Sequence, residues 1–148
     1  MKFLCDQMLN GLGKWLRIAG YDTKIITQPM RDEKIVECAI AEERLLLTRD
    51  KKIKPNANIL FLNGNTLEEC VRELNQHLQI NWLYRPFSRC PVCNTAFTES
   101  ADADLQDVPE DVRAHATPLW YCSTCNKVYW EGSHTARMRK QLEAWQSS

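Results

Sequence analysis

The feature that most constrains the fold of this chain is a pair of C-x-x-C motifs, Cys90 to Cys93 and Cys122 to Cys125. Each motif places two thiolates on one tight turn, and two such turns complete a tetrahedron around zinc with Zn–S bonds of about 2.3 Å. Four protein ligands close the coordination sphere, so the metal should hold the local fold together and should not activate water. The sequence therefore predicts a structural zinc ribbon.

Other uses of these cysteines stay open from the sequence alone. Seven cysteines is an odd number, and without an export signal we expect reduced thiols, which disfavours a disulfide framework. Two redox-active pairs would need a nucleophilic cysteine at a helix N-terminus, but the aromatic residues around the second motif favour strands. Iron accepts the same four thiolates, and would make the chain an electron-transfer protein. We assign no chemistry to the three cysteines on apolar faces, Cys5, Cys38 and Cys70.

The first half of the chain alternates short apolar runs with helical patterns. Alternation of this kind predicts a parallel sheet covered by helices, hence an α/β fold. Near residues 82–89 the pattern changes to aromatic and proline residues, and we place a domain boundary there. The predicted α/β domain spans residues 1–84, and the four-cysteine zinc ribbon with a C-terminal basic helix spans residues 85–148. The predicted strands are 2–5, 23–27, 44–48 and 58–62, and the predicted helices are 8–19, 32–43 and 66–78.

Composition excludes some functions and leaves others to local patches. The chain of 148 residues is 44% hydrophobic with a formal net charge of zero, which is typical of a globular protein. Net charge therefore gives no attraction to nucleic acid or to a membrane. Polar residues interrupt the apolar N-terminal run, so we expect neither a signal peptide nor a membrane span, and a cytoplasmic location. The acidic stretch at 99–111 is expected to be a solvated loop, with nucleic-acid mimicry as the alternative.

Three aspartates are expected at one edge of the predicted sheet. Asp6 follows the first strand, Asp32 opens the helix after the second strand, and Asp50 follows the third strand. The carboxyl edge of a parallel sheet binds ligands, and clustered carboxylates need a cation such as Mg²⁺ or Mn²⁺ to offset their repulsion. Metal-assisted phosphodiester hydrolysis is the reaction that such a site serves best. Alternatively, Asp32 is only the N-cap of its helix and Asp50 only caps a turn. Asp22 precedes its strand, so we expect it at the opposite edge of the sheet.

Basic residues near these aspartates suggest phosphate binding. Asn10, Lys14 and Arg17 recur at four and three residues, so they share one face of the first helix. On the functional hypothesis, Asn10 orients a water or phosphate while Lys14 and Arg17 hold a nucleic-acid backbone. This basic rim around the acidic pocket would be extended by Arg49, Lys51, Lys52 and Lys54. The alternative is a solvated polar face without a ligand.

Several stretches resemble the PIN-like ribonucleases of the Mut-seven C-terminal type. The stretches are MKFLCDQMLNGLGKWLRIAGYDT, DEKIVECAIAEERLLLTRD, RCPVCN and CSTCNKVYWEGSHTARM, which cover nearly the whole chain. The resemblance implies a PIN-like α/β fold with RNA as substrate. It also implies that Asp6, Asp32 and Asp50 are the catalytic ligands of Mg²⁺ or Mn²⁺. The chain departs from the PIN pattern at the second acidic position, because the segment 28–31 is too short for the extra helix that carries it.

Two functional hypotheses follow for the whole chain. The first is a metal-dependent endoribonuclease whose ribbon positions RNA, with His134 and Arg137 of the tail as further RNA contacts. The second is a non-catalytic RNA- or ribosome-associated adaptor with a degenerate PIN-like domain. The tail has an alternative of its own, a polar helix that packs through Met138, Leu142 and Trp145. RNA is the expected partner in both hypotheses, and a homodimer is left open.

Overall fold

A parallel four-stranded sheet organises the N-terminal part of the protein. The computed structural model describes residues 1–99, 108–110 and 119–148. The sheet has the order β2-β1-β3-β4, and each neighbouring pair is parallel. The order confirms the α/β prediction and brings the carboxyl ends of β1 and β3 side by side. The strands are β1 (Lys2–Cys5), β2 (Asp22–Ile25), β3 (Leu45–Thr48) and β4 (Ile59–Phe61).

Helices cover both faces of this sheet. Alternate residues of β1 point to opposite faces: Phe3 and Cys5 enter one core, while Leu4 enters the other. The larger core is covered by α1 and α3, and the smaller core by α2. Their apolar positions recur at three and four residues, which is why each buries one face. The helices are α1 (Asn10–Ala19), preceded by a 3-10 turn (Gln7–Leu9), α2 (Asp32–Ala41) and α3 (Leu67–His77).

Helix ends differ from the sequence expectation by a few residues. We expected α2 to continue to Glu43, but it ends at Ala41, and Glu43 adopts a positive φ of 54°. The Arg44 N–H then bonds the Ala39 carbonyl at 2.8 Å, a closing bond that ends the helix before β3. Thr66 caps α3 as expected, since its hydroxyl accepts a bond from the Glu69 N–H at 3.2 Å. These differences do not move the strand ends that carry the aspartates.

Gly20 ends α1 in a conformation that only glycine adopts without strain. Its φ is +107°, and a Cβ added there would lie 2.6 Å from the Arg85 carbonyl oxygen. We expect Gly20→Ala to lower the free energy of unfolding by about 1–3 kcal/mol, measured by urea denaturation. Gly11→Ala in the same helix is the control, because a Cβ there meets nothing within 4 Å. It should raise stability by about 0.5–1 kcal/mol, and equal effects of the two substitutions would contradict the proposed strain.

A small antiparallel sheet follows the α/β unit. Its order is β5-β6-β7, with β5 (Thr98–Glu99), β6 (Leu119–Cys122) and β7 (Lys127–Trp130). An isolated bridge between Arg89 and Ala96 closes the first cysteine turn. Residues 100–107 and 111–118 lie outside the described residues, and with them lie His115 and most of the predicted acidic loop. The described strands fit the antiparallel hairpins that a zinc ribbon requires.

The last helix, α4 (Ser133–Gln146), returns from the ribbon to the α/β unit. Leu142 and Trp145 join the larger core, and the Trp145 ring lies 4.9 Å from Trp15 and 5.0 Å from Trp82. Contacts therefore cross the predicted boundary at residue 84, although the division into two domains stays a prediction. None of the helices in the described ranges combines the length and the apolar character needed to cross a membrane.

Candidate functional site

The three aspartates singled out in the sequence line one surface cavity of about 490 Å³. Asp6 follows β1, Asp50 lies two residues after β3, and Asp32 is the first residue of α2. Since β1 and β3 are parallel neighbours, Asp6 and Asp50 emerge at the same carboxyl edge of the sheet. Asp22 lies at the opposite edge, where its carboxylate pairs with Arg44 at 2.8 Å.

Asp6 is held rigidly by its neighbours on β3. One carboxylate oxygen accepts the Thr48 hydroxyl at 2.5 Å and the Arg49 N–H at 3.2 Å, and the other accepts the Leu9 N–H at 3.2 Å. The Thr48 hydroxyl is also the acceptor for the Asp50 N–H at 3.0 Å, so it connects the Asp6 carboxylate to the Asp50 backbone. Sequence reasoning gave Thr48 no role. The available signal was its position at the end of a buried strand, two residues before Asp50.

Electrostatic repulsion inside the cavity favours a cation. Partial desolvation raises the pKa of Asp32, and the negative charges of Asp50 and Glu33 raise it further. Carboxylates also supply the oxygen ligands that Mg²⁺ and Mn²⁺ prefer. The donor type therefore suits a hard divalent cation, although among the described residues the side chains that lie close enough together to hold one ion are the four cysteines and not these three aspartates.

Basic side chains line the same cavity. Arg49, Lys51 and Lys52 are part of its wall. Arg49 donates to the Asn65 side-chain oxygen at 2.8 Å, and Lys51 donates to the side-chain oxygen of Asn63. These bonds fix two of the three positive side chains against the segment that follows β4. An anionic substrate is consistent with such a rim.

The other predicted contacts lie elsewhere on the surface. Asn10 and Lys14 are exposed on α1, and His134 and Arg137 are exposed on α4. None of these four is among the described residues that line the acidic cavity. The packing of Met138, Leu142 and Trp145 against the larger core agrees with the alternative interpretation of the tail. The RNA-binding roles of the four exposed side chains stay predictions.

Arg17 requires a correction. We expected it to contact phosphate, but it is only 6% exposed. Its Nε donates to the Thr23 carbonyl at 2.8 Å, and one terminal nitrogen donates to the carbonyls of Pro91 and Val92 at 3.0 Å each. Burial and these bonds remove the guanidinium from solvent, so Arg17 attaches the first cysteine turn to the edge of the parallel sheet. Helical spacing alone predicted that Arg17 shares the exposed face of α1 with Lys14. In the structure, the ribbon packs over the part of α1 that carries Arg17.

We expect Arg17→Met to lower the free energy of unfolding by about 2–4 kcal/mol, because one buried and two partly buried carbonyl groups would lose their donor. Chemical denaturation followed by circular dichroism measures the change. Arg72→Met, an exposed position on α3, is the matched control and should change stability little. A variant with full stability but weaker RNA binding would restore the original phosphate-binding role.

The four predicted zinc ligands converge at one point. The sulfurs of Cys90, Cys93, Cys122 and Cys125 all lie within 4.8 Å of one another. The Cys90–Cys125 and Cys93–Cys122 sulfur distances are 3.9 and 3.3 Å. A tetrahedron with bonds of about 2.3 Å has edges of about 3.8 Å, so the cluster has the size of a four-thiolate zinc site. The Cys125 N–H also donates to the Cys122 sulfur at 3.3 Å, as expected for a metal-binding turn.

Thiol electrostatics support the same conclusion. Burial opposes ionisation of Cys93, but hydrogen bonds with Thr95 outweigh it and lower the pKa of this thiol to about 6. The hydrogen bond with Cys93 instead raises the pKa of Cys125 to about 12. Ionisation of one thiol in the cluster thus opposes ionisation of another. A bound divalent cation would offset this repulsion and allow all four cysteines to be thiolates. The four cysteines are therefore suited to bind zinc.

The comparisons with known proteins give one match. The family model described as "Mut7-C RNAse domain" matches residues 1–142. Neither the search of curated proteins nor the search of solved structures gave a match. The matched range contains all three cavity aspartates and all four clustered cysteines. Since the match covers nearly the whole chain, this protein belongs to the Mut7-C RNAse domain family.

Proposed function

We propose that the protein is a metal-dependent endoribonuclease that hydrolyses RNA phosphodiesters with Mg²⁺ or Mn²⁺ bound by Asp6, Asp32 and Asp50. The observation that carries the proposal is that these three aspartates line one cavity whose wall also contains Arg49, Lys51 and Lys52. Membership of a ribonuclease family supports RNA as the substrate. Acidic ligands surrounded by basic side chains suit a phosphodiester that must approach a metal site.

The residues of the cavity have separate roles in this proposal. Bound Mg²⁺ or Mn²⁺ would activate water for attack on the phosphorus and stabilise the leaving oxygen. Asp6 is a preorganised ligand, because the Thr48 hydroxyl and the Arg49 N–H fix one of its oxygens. Asp32, the first residue of α2, and Asp50, two residues after β3, add further carboxylate oxygens. Arg49, Lys51 and Lys52 neutralise the RNA phosphates on either side of the scissile bond.

The ribbon has a supporting role in the same proposal. Zinc bound by the four cysteines would keep the two turns and the hairpin together. Arg17 and Asn94 then anchor the first turn to the α/β unit: the Asn94 side chain accepts the Thr23 N–H at 2.9 Å and donates to Asp22 at 2.6 Å. A ribbon attached in this way can position RNA relative to the acidic cavity. On this basis residues 1–84 perform the chemistry and residues 85–148 hold the substrate.

One observation favours the adaptor as a second candidate. Among the described residues that line the cavity, the acids are Asp6, Asp32 and Asp50 alone. A PIN-like site with a fourth carboxylate would bind cations more strongly, so three acids make a binding function without hydrolysis the main competitor. In that case RNA would bind and remain intact.

Cleavage of labelled RNA distinguishes the two candidates. Zinc-loaded wild-type protein is incubated with single-stranded and structured RNAs in the presence of Mn²⁺, Mg²⁺ or neither. The nuclease proposal expects fragments only when one of these cations is added. RNA that binds but stays intact under every condition would favour the adaptor.

A further inference from the structure

The ribbon and the α/β unit together form a second cleft, separate from the acidic cavity. Its volume is about 290 Å³, and it is formed by the segment after α3, the end of α1 and the first strand-like pair of the ribbon. That volume lies near the lower end of the range of about 300–1,000 Å³ for small-molecule sites. The cleft is therefore of a size that suits a single flat group. Its lining residues include Arg85, Phe87, Arg89, Phe97 and Trp120.

Aromatic rings dominate one side of this cleft. The Trp120 ring is nearly parallel to the rings of both Phe87 and Phe97, with ring centroids 6.4 Å apart in each pair and interplanar angles of 25° and 17°. Trp120 and Phe97 are only half-buried, so part of their apolar surface faces the cleft. Nearly parallel rings whose surface is only partly covered give another flat ring a surface on which to stack.

Positive charge accompanies the rings. Arg85 and Arg89 are in the cleft wall; Arg85 is exposed, whereas Arg89 also donates to the Asn94 carbonyl at 2.9 Å. The guanidinium of Arg139 lies 4.9 Å from the centre of the Phe87 ring, outside the lining of the cleft, and pairs with Glu131 at 3.0 Å. Within the part of the chain that the structure describes, the residues that line the cleft include no acid. The ligand should therefore combine a flat ring with a negative charge, which is the chemistry of a nucleotide.

The walls of the cleft are fixed before any ligand binds. The Arg85 N–H donates to the Ala19 carbonyl and the Phe87 N–H to the Ile18 carbonyl, both at 2.9 Å. On the other side, the Phe97 N–H donates to the Ser88 carbonyl at 2.9 Å. A preformed site loses little conformational entropy on binding. The preformed cleft is thus suited to ligand binding as well as to packing of the ribbon against the α/β unit.

We propose that this cleft binds one unpaired nucleobase of an RNA strand, stacked on Trp120 and Phe97, with an adjacent phosphate held by Arg85 and Arg89. The inference rests on the proposed function for its choice of RNA, and it narrows the substrate to RNA with a single-stranded segment, because bases in a duplex are already stacked. Helix α1 separates the two sites: it begins four residues after Asp6 and ends at Gly20 in the cleft wall. At about 1.5 Å per residue, its ten residues span about 15 Å, which the bound strand must cross.

Equilibrium binding tests this proposal separately from hydrolysis. Fluorescence anisotropy is measured with labelled oligouridylate and zinc-loaded protein, without added Mg²⁺ or Mn²⁺. We expect Trp120→Leu and Phe97→Leu each to raise the Kd by about 5- to 150-fold, since stacking of one base is lost. Tyr121→Leu is the matched control on the same strand and should leave the Kd unchanged, because successive strand residues face opposite sides. Arg85→Ala should reduce the slope of log Kd against log salt concentration by about 0.7.

Two outcomes would overturn the stacking site. One is a correctly folded Trp120→Leu protein that binds as tightly as the wild type, which would leave the cleft as a structural surface or a site for a protein segment. The other is wild-type protein that binds an abasic oligomer as tightly as oligouridylate; this comparison stays informative if Trp120→Leu fails to fold. Failure of the nuclease proposal has a different signature, since RNA would then bind through the cleft and remain intact when Mn²⁺ is added.

Discussion

Replacement of Asp6 with asparagine should reduce metal-dependent RNA cleavage by more than about 100-fold. The amide keeps the size of the side chain but removes the negative charge that attracts the cation. The neighbouring hydrogen bonds from Thr48 and Arg49 hold this carboxylate in place, so no other side chain can readily move into its position. The initial rate of cleavage of labelled RNA in Mn²⁺, compared between wild type and variant at equal zinc content, measures the effect.

Glu37→Gln is the matched control for this experiment. Glu37 is an exposed acid on α2, the helix that begins with Asp32, but it does not line the acidic cavity. The Glu37→Gln substitution removes one negative charge from the same region and should leave the cleavage rate unchanged. Full activity of a folded Asp6→Asn protein would show that the cleavage arises elsewhere, and the three-aspartate site would have to be abandoned.

Loss of one zinc ligand should unfold the ribbon without releasing the last helix. We expect Cys122→Ser to abolish stoichiometric zinc binding, because structural zinc contributes about 10–16 kcal/mol in small zinc-binding peptides and a hydroxyl replaces a thiolate poorly. Hydrogen exchange followed by mass spectrometry should show lost protection in residues 88–99 and 119–130. Residues 133–146 should stay protected, since Leu142 and Trp145 are anchored in the larger core.

Cys38→Ser provides the matched control for zinc loss. Cys38 lies on α2 outside the cluster, where its thiol bonds the Glu42 carboxylate at 2.8 Å. Zinc content and protection of the ribbon should be unchanged in this variant. If Cys122→Ser instead released residues 133–146 together with the ribbon, the last helix would depend on zinc, and its contacts with Trp15 and Trp82 would be too weak to hold it alone.

Predictions from local pattern agree with the structure in several places. β1 has the expected bounds, Lys2–Cys5, and the alternation of strands and helices correctly predicted a parallel sheet. Asp6 and Asp50 follow adjacent parallel strands, so their proximity followed from chain order once the sheet was parallel. The cysteine spacing likewise predicted a four-sulfur cluster. In each case the prediction rests on a pattern that can be read along the chain, namely hydrophobic periodicity, strand order or the spacing of paired cysteines.

Other features depended on contacts between distant segments. Helical spacing put Arg17 beside Lys14, yet the structure buries Arg17 against Pro91 and Val92, more than 70 residues away. The basic tail similarly packs into the core of the α/β unit through Trp145.

The amino-acid sequence by itself determined the metal-binding motif, the α/β class and the positions of the three aspartates relative to the strands. Only the tertiary structure decided which basic side chains reach the acidic cavity, how Thr48 connects Asp6 to Asp50, and that Trp120 and Phe97 meet Arg85 across one cleft. The physical reason is that periodicity specifies which face of an element is apolar, whereas burial and partner choice depend on which remote element covers that face.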